Sequence, residues 1–444
     1  MMNKGSERVR DAGRYESWGR YPRARHDRVV VFDSARDAPD FSSYESDILP
    51  YGCGRSYGDC CLNEGGVLVD MRGLNRILSV DADRRVIRCE SGVTLERILD
   101  EIVPKGLFLP VTPGTRFVTV GGAIANDVHG KNHHVSGTFG RHVTRMEILR
   151  TSGERIVCSR SEHRDLFFAT IGGMGLTGLI LWAEFDLIEM AGEGIVMDAL
   201  KFRGLDEFVD LSERSAEYPY TVAWLDCSAG AAREFRGLFM RGSHAEVGRV
   251  KRERSFNVPF DLPGGLINRW VIGAFNSLYF NLRPASRTGV ITHYAPFFYP
   301  LDKIENWNRV YGPAGFLQYQ CVIPPAHTAA GLLEIMSRMR ASGISASLAV
   351  LKKFGDFEPA GLLSFSRPGT TLALDFRNTP RVHSLLDGLD AIVLEAGGAV
   401  YPAKDARMRP ETYQRFYPHW RDMLEFKDPK ISSSLWRRVT GVSL

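Results

Sequence analysis

The stretch from Val111 to Gly140, VTPGTRFVTVGGAIANDVHGKNHHVSGTFG, constrains the fold most, because it is rich in glycine and shows no ordinary amphipathic helical pattern. It carries two Gly-led turns, three histidines and a lysine, interspersed with threonines and Asn126. Glycine allows a backbone to approach a ligand closely, and backbone amides with small hydroxyls are groups that surround a phosphate. The pattern predicts either a loop around a phosphate-bearing cofactor or a plain connector between strands.

The length and composition limit the classes of protein to consider. A chain of 444 residues predicts two domains, and 44% hydrophobic with 24% charged residues is typical of a soluble globular protein. A formal net charge of +4 is too small to indicate nucleic acid binding. The seven cysteines form no CxxC pair, which favours reduced thiols over a disulfide framework.

The amino-terminal sequence and the apolar segments bear on location. The first 28 residues contain several arginines and lack the apolar core of a signal peptide; a solvated basic tail is the favoured interpretation. No apolar run is long enough to span a membrane. The segment that comes nearest to such a run, Trp270–Phe280, is too short and contains Asn276 and Ser277. It could instead rest on a bilayer or cover an apolar substrate. We expect a cytoplasmic protein or one peripheral at the membrane.

The first half of the chain alternates short strands with turns. Hairpins are predicted at Ile77–Gly92 and Met146–Ser159, each around a polar turn. A helix is predicted after Thr94, with Pro104 and Gly106 ending it.

The second half, from about Ala191, predicts longer strands alternating with helices at Leu205–Ala216 and Ala330–Arg340. A hairpin is predicted through Leu362–Phe376, around Pro368-Gly369. The intervening Val250–Arg287 is predicted to be irregular, apolar and aromatic, and such long loops are usually functional or mobile.

Two short motifs match enzyme signatures without their context. GRSYG at Gly54–Gly58 fits the G-x-S-x-G of serine hydrolases, but Gly65-Gly66 argue against the helix that must follow. A hydrolase acting through Ser56 therefore stays a minor alternative. GMGLTG at Gly173–Gly178 fits a dinucleotide fingerprint, yet the sequence after it predicts a strand, so no nicotinamide site is expected.

The histidine-rich loop HGKNHH, His129–His134, lacks a carboxylate at helical spacing and no HExxH occurs. Without these ligands the loop does not resemble a zinc site, and no bound metal is predicted. His129 and Lys131 facing a bound ligand is the preferred interpretation.

Three blocks together carry a family resemblance: YGCGRSYGD at Tyr51–Asp59, the Pro113–His134 loop, and DLFFATIGGMGLTGLI at Asp165–Ile180. They resemble the flavin-binding domain of the vanillyl-alcohol oxidase superfamily. With YGPAGFLQYQ at Tyr311–Gln320 and YPAKD at Tyr401–Asp405, the chain is similar to the decaprenylphosphoryl-β-D-ribose oxidase branch, from about Trp18 onward.

This resemblance implies a two-domain α+β flavoprotein with FAD between the domains. The implied division is a PCMH-type FAD-binding domain at 1–190, an antiparallel-sheet substrate domain at 191–395, and a segment at 396–444 that returns to the FAD domain. The cofactor contacts it implies are Gly52, Cys53, Gly54, Arg55, Ser56, Tyr57, Gly58, Asp59, Gly114, Thr119, Val120, Gly121, Gly122, Asn126, Asp127, Val128, His129, Ile180 and Tyr401. Many relatives attach FAD through a histidine where this chain has Arg55, so noncovalent FAD is expected.

The predicted substrate site lies in the second half of the chain. Gln318 and Gln320 are two apart on a strand and face one side; they form either a paired core network or, as the resemblance favours, a site for sugar hydroxyls. The resemblance assigns Lys352 to a substrate phosphate, a role that suits a lysine. By sequence alone, a lone lysine on such a strand is usually a solvated edge residue, and the neighbour Lys353 could be mistaken for Lys352.

Lys404 in YPAKD is the principal catalytic candidate, because a fixed ammonium beside the flavin would stabilise the negative charge that reduction places there. The alternative is a surface lysine paired with Asp405. The resemblance further implies that Tyr57, His129 and Lys131 frame the sugar, with Trp224 in the same pocket.

The activity implied is FAD-dependent oxidation of the 2′-hydroxyl of a polyprenyl-phosphate-linked ribose to a 2′-keto sugar, the first half of an epimerisation to the arabinose donor. The expected partners are that lipid-linked sugar phosphate and a separate NAD(P)H-dependent keto-sugar reductase. The alternatives are an aldonolactone or alditol oxidase of the same superfamily and a non-catalytic flavin-binding protein.

Overall fold

The computed structural model describes residues 8–10, 15–228, 235–247, 255–263, 265 and 267–441. The predicted basic tail falls partly outside these ranges, as do Val250–Arg254 of the predicted irregular region.

The strands are β1 Arg8–Arg10, β2 Arg28–Val31, β3 Ile48–Tyr51, β4 Val67–Asp70, β5 Ile77–Asp81, β6 Val86–Glu90, β7 Leu107–Phe108, β8 Val143–Leu149, β9 Arg155–Ser159, β10 Leu179–Asp186, β11 Ile188–Glu189, β12 Gly194–Arg203, β13 Tyr220–Leu225, β14 Arg236–Ala245, β15 Phe256–Asn257, β16 Ser286–His293, β17 Ile304–Glu305, β18 Phe316–Ile323, β19 Leu348–Phe354, β20 Gly369–Arg377 and β21 Ala399–Val400. The helices are α1 Leu95–Ile102, α2 Val120–Ala125, α3 His133–Ser136, α4 Arg164–Thr170, α5 Leu205–Arg214, α6 Arg269–Asn281, α7 Tyr294–Phe298, α8 Thr328–Ser342, α9 Pro380–Glu395, α10 Pro410–Phe416, α11 Met423–Phe426 and α12 Ser434–Thr440.

Two sheets organise the first half of the chain. One has the order β1-β2-β4-β3, and its strand β3 ends at Tyr51, directly before the first glycine turn. The other is antiparallel, in the order β5-β6-β10-β8-β9, and contains both predicted hairpins, which are confirmed as β5–β6 and β8–β9. Strand β10 begins directly after Gly178, so the GMGLTG block does lead into a strand. Helix α1 begins after Thr94, whose hydroxyl accepts a hydrogen bond from the Arg97 amide, as predicted.

An antiparallel sheet of eight strands dominates the second half, in the order β16-β12-β14-β13-β19-β20-β18-β21. The predicted helices are confirmed as α5 and α8. Helices α8 and α9 pack on each other and against β18. Buried apolar residues of these helices and strands form one core, while the opposite sheet face remains available to build a site. Helices and mainly antiparallel sheets together make an α+β fold.

The last part of the chain leaves the large sheet after β21 and packs against the first part. Ile431 forms a parallel bridge with Ile48 at the start of β3. The Arg438 guanidinium on α12 donates to the Asp59 carboxylate at 2.7 Å and to the Asp405 carboxylate at 2.8 Å. One arginine therefore joins the loop after GRSYG to the loop that carries Lys404.

The prediction of an irregular region was wrong for Arg269–Asn281, which forms helix α6. Asn268 caps it by accepting hydrogen bonds from the Trp270 and Val271 amides. The amphipathic pattern was hidden because the buried face includes the polar Asn276, whose amide donates to the buried Asp226 carboxylate at 3.0 Å. No helix in the described part of the chain has the length and apolar character needed to cross a bilayer.

The predicted hairpin through Leu362–Phe376 was also wrong, because only its second half is a strand, β20. Both edges of β20 are already paired, one with β19 and the other with β18. The first half instead lies against the glycine-rich stretch, where the Ser364 hydroxyl donates to Asp127 at 2.7 Å. The glycine-rich stretch itself contains the short helix α2, which the sequence did not predict and which Thr119 caps.

Candidate functional site

A cavity of about 1100 Å³ lies between the glycine-rich turns and one face of the large sheet. It collects residues that are far apart in sequence. The predicted site residues on its wall are Gly52, Cys53, Gly54, Arg55, Ser56, Tyr57, Gly114, Thr119, Gly121, Gly122, Asn126, Val128, His129, Lys131, Ile180, Trp224, Gln318, Gln320, Lys352, Tyr401 and Lys404.

Four predicted cofactor contacts do not lie on this wall: Gly58, Asp59, Val120 and Asp127. Gly58 packs against the Asp405 backbone, and Asp59 is held in its ion pair with Arg438. Val120 is fully buried in the apolar core. Asp127 accepts hydrogen bonds from the Gly140 amide at 3.0 Å and from Ser364. Asp59 and Asp127 therefore stabilise the loops that line the cavity.

The glycine-lined end of the cavity leaves room for backbone to meet a ligand. A Cβ added at Gly114 would meet no protein atom within 4 Å, and one added at Gly52 would lie 2.5 Å from the Thr119 hydroxyl oxygen. That hydroxyl accepts a hydrogen bond from the Gly122 amide at 3.1 Å. Close-set glycines beside a small hydroxyl suit the close approach of a pyrophosphate.

Two buried polar atoms at this end lack a hydrogen-bond partner among the described residues: Arg55 Nε and Ser91 Oγ. The Arg55 guanidinium lies 4.1 Å from the centre of the Trp18 ring, and burial lowers the pKa of this arginine. An arginine Nε and a serine hydroxyl without hydrogen-bond partners, on the wall of a glycine-lined cavity, fit the anionic, hydrogen-bonding character of FAD. The residues present therefore fit the cofactor.

Alternation along the strands decides which side chains face the cavity. On β19 the lining residues are Leu348, Val350 and Lys352, whereas Lys353 is exposed on the other side. The two glutamines of β18 line it as well, as does Ala373 of β20. Of the two neighbouring lysines on β19, Lys352 therefore lines the cavity and Lys353 does not.

The two glutamines are both hydrogen-bonded and both on the cavity wall. Gln318 Nε2 donates to Asp375 Oδ1 at 2.5 Å. Gln320 Nε2 lies 2.8 Å from His129 Nε2 and donates to Thr371 Oγ1 at 3.1 Å. The sequence left a paired network and a ligand-facing site as alternatives, and the structure combines them: the amides are fixed by neighbours while facing the cavity.

Three lysines meet at the same cavity. The Lys404 Nζ lies 3.7 Å from the centre of the Tyr57 ring, and Asp405 pairs with Arg438, so the alternative of a surface Lys404–Asp405 pair was wrong. Burial lowers the pKa of Lys404 to about 7 against the opposing charge of Asp375. Burial, with Lys131 and Lys404 nearby, lowers the pKa of Lys352 to about 7, and burial lowers that of Lys131 to about 8. Such a crowded cationic wall is suited to an anion.

Sequence reasoning missed Asp375. Burial raises the pKa of its carboxyl to about 6, opposed by the Gln318 hydrogen bond and the Lys404 charge, and its Oδ2 has no hydrogen-bond partner among the described residues. Asp375 is two residues from Ala373 on β20, so strand periodicity was the signal that could have placed it beside the site. Trp18, which stacks with Arg55, was also missed because its contact is non-local.

The histidines of HGKNHH lie in three separate environments. His129 faces the cavity, and burial, followed by the Lys352 charge, lowers its pKa well below the usual range. His133 stacks on Phe354 at 4.1 Å, and its Nδ1 accepts from the Gly355 amide. His134 Nε2 lies 2.9 Å from the Tyr218 carbonyl oxygen. Only His129 is placed to meet a ligand in the cavity.

The buried His133 predicts that the protein loses stability in acid. Burial lowers its pKa to about 3, so the unfolded chain binds this proton more readily, and stability is lost as pH falls from about 6.5, by up to about 1.4 kcal/mol per pH unit. We expect His133→Gln to reduce the fall in melting temperature between pH 7 and pH 5. The exposed His327→Gln is the matched control, and equal pH dependence in both variants would contradict this assignment.

Comparisons with known proteins agree with this geometry. Residues 40–159 match the family described as FAD binding domain. The chain is 37% identical to the decaprenylphosphoryl-beta-D-ribose oxidase of Mycolicibacterium smegmatis over 88% of this chain and 89% of the relative. It is 32% identical to an uncharacterised protein of Streptomyces coelicolor over 78% of this chain and 100% of the relative. An L-gulonolactone oxidase of Scyliorhinus torazame is 31% identical over only 29% of each chain.

Proposed function

The chain belongs to the family of decaprenylphosphoryl-beta-D-ribose oxidase, and from this premise we propose that it oxidises the 2′-hydroxyl of a polyprenyl-phosphate-linked ribose to a 2′-keto sugar. FAD is the cofactor. The reaction would be the first half of an epimerisation to the arabinose donor.

The observation that carries this proposal is the meeting of Lys131, Lys352 and Lys404 on one cavity wall. The charged neighbours that shift the pKa of Lys352 are the other two lysines. Desolvated like charges repel one another, and a bound phosphate relieves that repulsion. A free lactone or alditol would supply no such anion, so the cavity favours a phosphorylated sugar.

Different residues of the cavity would then bind the phosphate, orient the sugar and stabilise charge at the reacting atoms. Lys352 and Lys131 hold the phosphate, while the amides of Gln318 and Gln320 orient the sugar. Trp224 forms part of the same pocket wall. FAD, when bound, would supply the acceptor for the hydride of the carbinol carbon, and the hydroxyl proton would be released in the same oxidation. Lys404, in contact with the Tyr57 ring, stabilises the negative charge that accumulates beside it, and Tyr57 and His129 confine the carbinol.

We propose noncovalent FAD, because Arg55 occupies the position at which a histidine would form the bond. Its contact with the Trp18 ring keeps this guanidinium inside the cavity. The proposed division into 1–190, 191–395 and 396–444 places Lys352 and Lys404 on the second and third parts, whereas Lys131 shares the first part with the glycine turns. The return of the last part is supported by the hydrogen bonds of Arg438.

A 2′-keto sugar must be reduced from the opposite face to complete an epimerisation, which requires a separate NAD(P)H-dependent reductase as partner. The one dinucleotide-like glycine block leads into strand β10 rather than a helix, which supports a second protein for that step. A lipid-linked substrate also supports peripheral contact with the membrane.

The alternative, an aldonolactone or alditol oxidase, is favoured by the partial likeness to L-gulonolactone oxidase. That likeness covers 29% of this chain, and a free lactone would supply no anion for the three lysines.

The test is spectroscopic. We expect purified protein to be yellow and to release its flavin into the supernatant on acid precipitation. Under anaerobic conditions a polyprenylphosphoryl ribose should bleach the flavin, whereas L-gulono-lactone should not. Bleaching by the lactone alone would favour the alternative, and bleaching by neither would support a flavin-binding protein without this activity. Flavin that stays with the precipitate would show a covalent bond.

A further inference from the structure

Helix α6 presents an apolar stripe to solvent. Val271, Phe275 and Leu278, with Leu282 at the carboxyl-terminal cap of the helix, are 53%, 60%, 58% and 75% exposed, and their spacing of four, three and four residues aligns them on one face. Trp270, 74% exposed, lies at the edge of this stripe. Scattered exposed apolar residues are ordinary, but a continuous stripe on one helix indicates a contact surface.

The opposite face holds the helix in place. Phe280 is fully buried with Trp224 and Leu238, and the Asn276 amide is hydrogen-bonded to the buried Asp226. The helix that carries the stripe is therefore packed firmly on the protein, and the apolar side chains of the stripe are exposed although the helix is fixed.

The charges in the sequence that contains the stripe have one sign. No aspartate or glutamate occurs between Asp261 and Asp302, whereas Arg269, Arg283 and Arg287 do, and all three are exposed. The Arg269 guanidinium lies 4.6 Å from the Trp270 ring centre, and that of Arg283 lies 3.5 Å from the Tyr279 ring centre. Arginines beside an apolar stripe match the phosphates above the acyl chains of an anionic bilayer.

The stripe is continuous with the cavity. Phe275 belongs to both, since it lines the cavity and is exposed on the stripe. Its ring stacks on Tyr279 with centres 5.9 Å apart, and Tyr279 meets Trp224 at 4.8 Å. A row of three aromatic rings therefore runs from the helix surface to the pocket wall.

We propose that α6 inserts this stripe into the surface of an anionic membrane, with its arginines at the lipid phosphates, and that the cavity opens towards the bilayer along Phe275, Tyr279 and Trp224. The polyprenyl chain of the substrate would then enter from the bilayer without crossing water. The membrane contact does not depend on the proposed function, whereas the entry route for the polyprenyl chain rests on the proposed function.

The first experiment measures binding of the FAD-loaded protein to vesicles of phosphatidylcholine with 30% phosphatidylglycerol. We expect Leu278→Glu/Leu282→Glu to weaken binding at least about tenfold, because it places two charges on the inserted face. The matched control is Leu333→Glu, on the exposed side of α8 and 51% exposed, which should bind like the wild type. Arg269→Gln/Arg287→Gln should weaken binding to these vesicles and lose little on pure phosphatidylcholine.

Equal vesicle binding by the wild type and the double glutamate variant would overturn the membrane contact. A change from dimer to monomer in the double variant, seen by sedimentation velocity, would overturn it in favour of a second copy of the chain.

The second experiment concerns entry. The double variant should bleach its flavin normally with a water-soluble, short-chain prenylphosphoryl ribose, and about tenfold more slowly with a long-chain substrate held in vesicles. Equal rates on the long-chain substrate would overturn the entry route. Vesicle binding by a wild-type protein that oxidises neither substrate would refute the proposed function and leave the membrane contact standing.

Discussion

Replacing Lys404 with methionine is expected to leave a folded, yellow protein whose flavin is reduced by substrate about 10² to 10³ times more slowly. The size follows from removing one fixed charge-stabilising group from a site that excludes water. Methionine keeps much of the side chain's length and volume, so the contact with the Tyr57 ring at 3.7 Å is retained as packing while the charge is lost. Stopped-flow measurement of flavin bleaching at saturating substrate checks the effect.

The protonation of Lys404 gives this prediction a second readout. With a pKa near 7, the ammonium is present below that pH and is lost as pH rises. The wild-type rate of bleaching should therefore fall above pH 7. Lys404→Arg, which stays charged, should remove that fall even if its rate is lower throughout. The exposed Lys353→Met serves as the matched control for charge loss; a pH profile shared by the wild type and the arginine variant would remove Lys404 from this role.

Replacing Lys352 with alanine is expected to raise the KM for a phosphate-bearing sugar by about 10- to 100-fold with little change in kcat. A hydrogen bond to a charged group contributes about 1.5–3 kcal/mol, and every 1.4 kcal/mol is about tenfold in affinity. No bond of the phosphate changes in the oxidation, so loss of the lysine that holds it should weaken binding of the ground state and of the transition state alike. Steady-state kinetics with the prenylphosphoryl ribose measure both constants.

The neighbouring lysine supplies the control. Lys353→Ala removes the same charge one residue along β19, where the side chain faces away from the cavity, and should leave KM unchanged. The same lowered pKa predicts that the wild-type KM begins to rise near pH 7 and that in Lys352→Ala the rise starts only near pH 8, where Lys131 loses its proton. A fall in kcat at unchanged KM would instead assign Lys352 to the chemical step and contradict the phosphate role.

Local patterns carried most of what the sequence predicted. Hairpins such as β5–β6 are signalled by their own turn, and helix α1 by the cap at Thr94, because these contacts join near neighbours. The cavity residues were found by motif resemblance rather than by any property of the isolated residues; Lys352 looks like a surface lysine until β19 is placed in its sheet.

What failed depended on distant partners. Helix α6 has a polar residue facing inward to Asp226 and apolar ones facing outward, the reverse of the usual pattern. Leu362–Pro368 was assigned to a hairpin because the sequence does not show that both edges of β20 are occupied. Asp375 was missed because its partner Gln318 comes from another strand, 57 positions earlier.

The twofold ion pair of Arg438 has a consequence for biosynthesis. Asp59 and Asp405 belong to two loops that are far apart in sequence and touch at Gly58, and the guanidinium that bonds to both belongs to α12. Residue 438 is translated after both loops, so the ion pairs that tie them together form only once α12 has been made. Until then the two carboxylates, both buried in the folded protein, lack this cation.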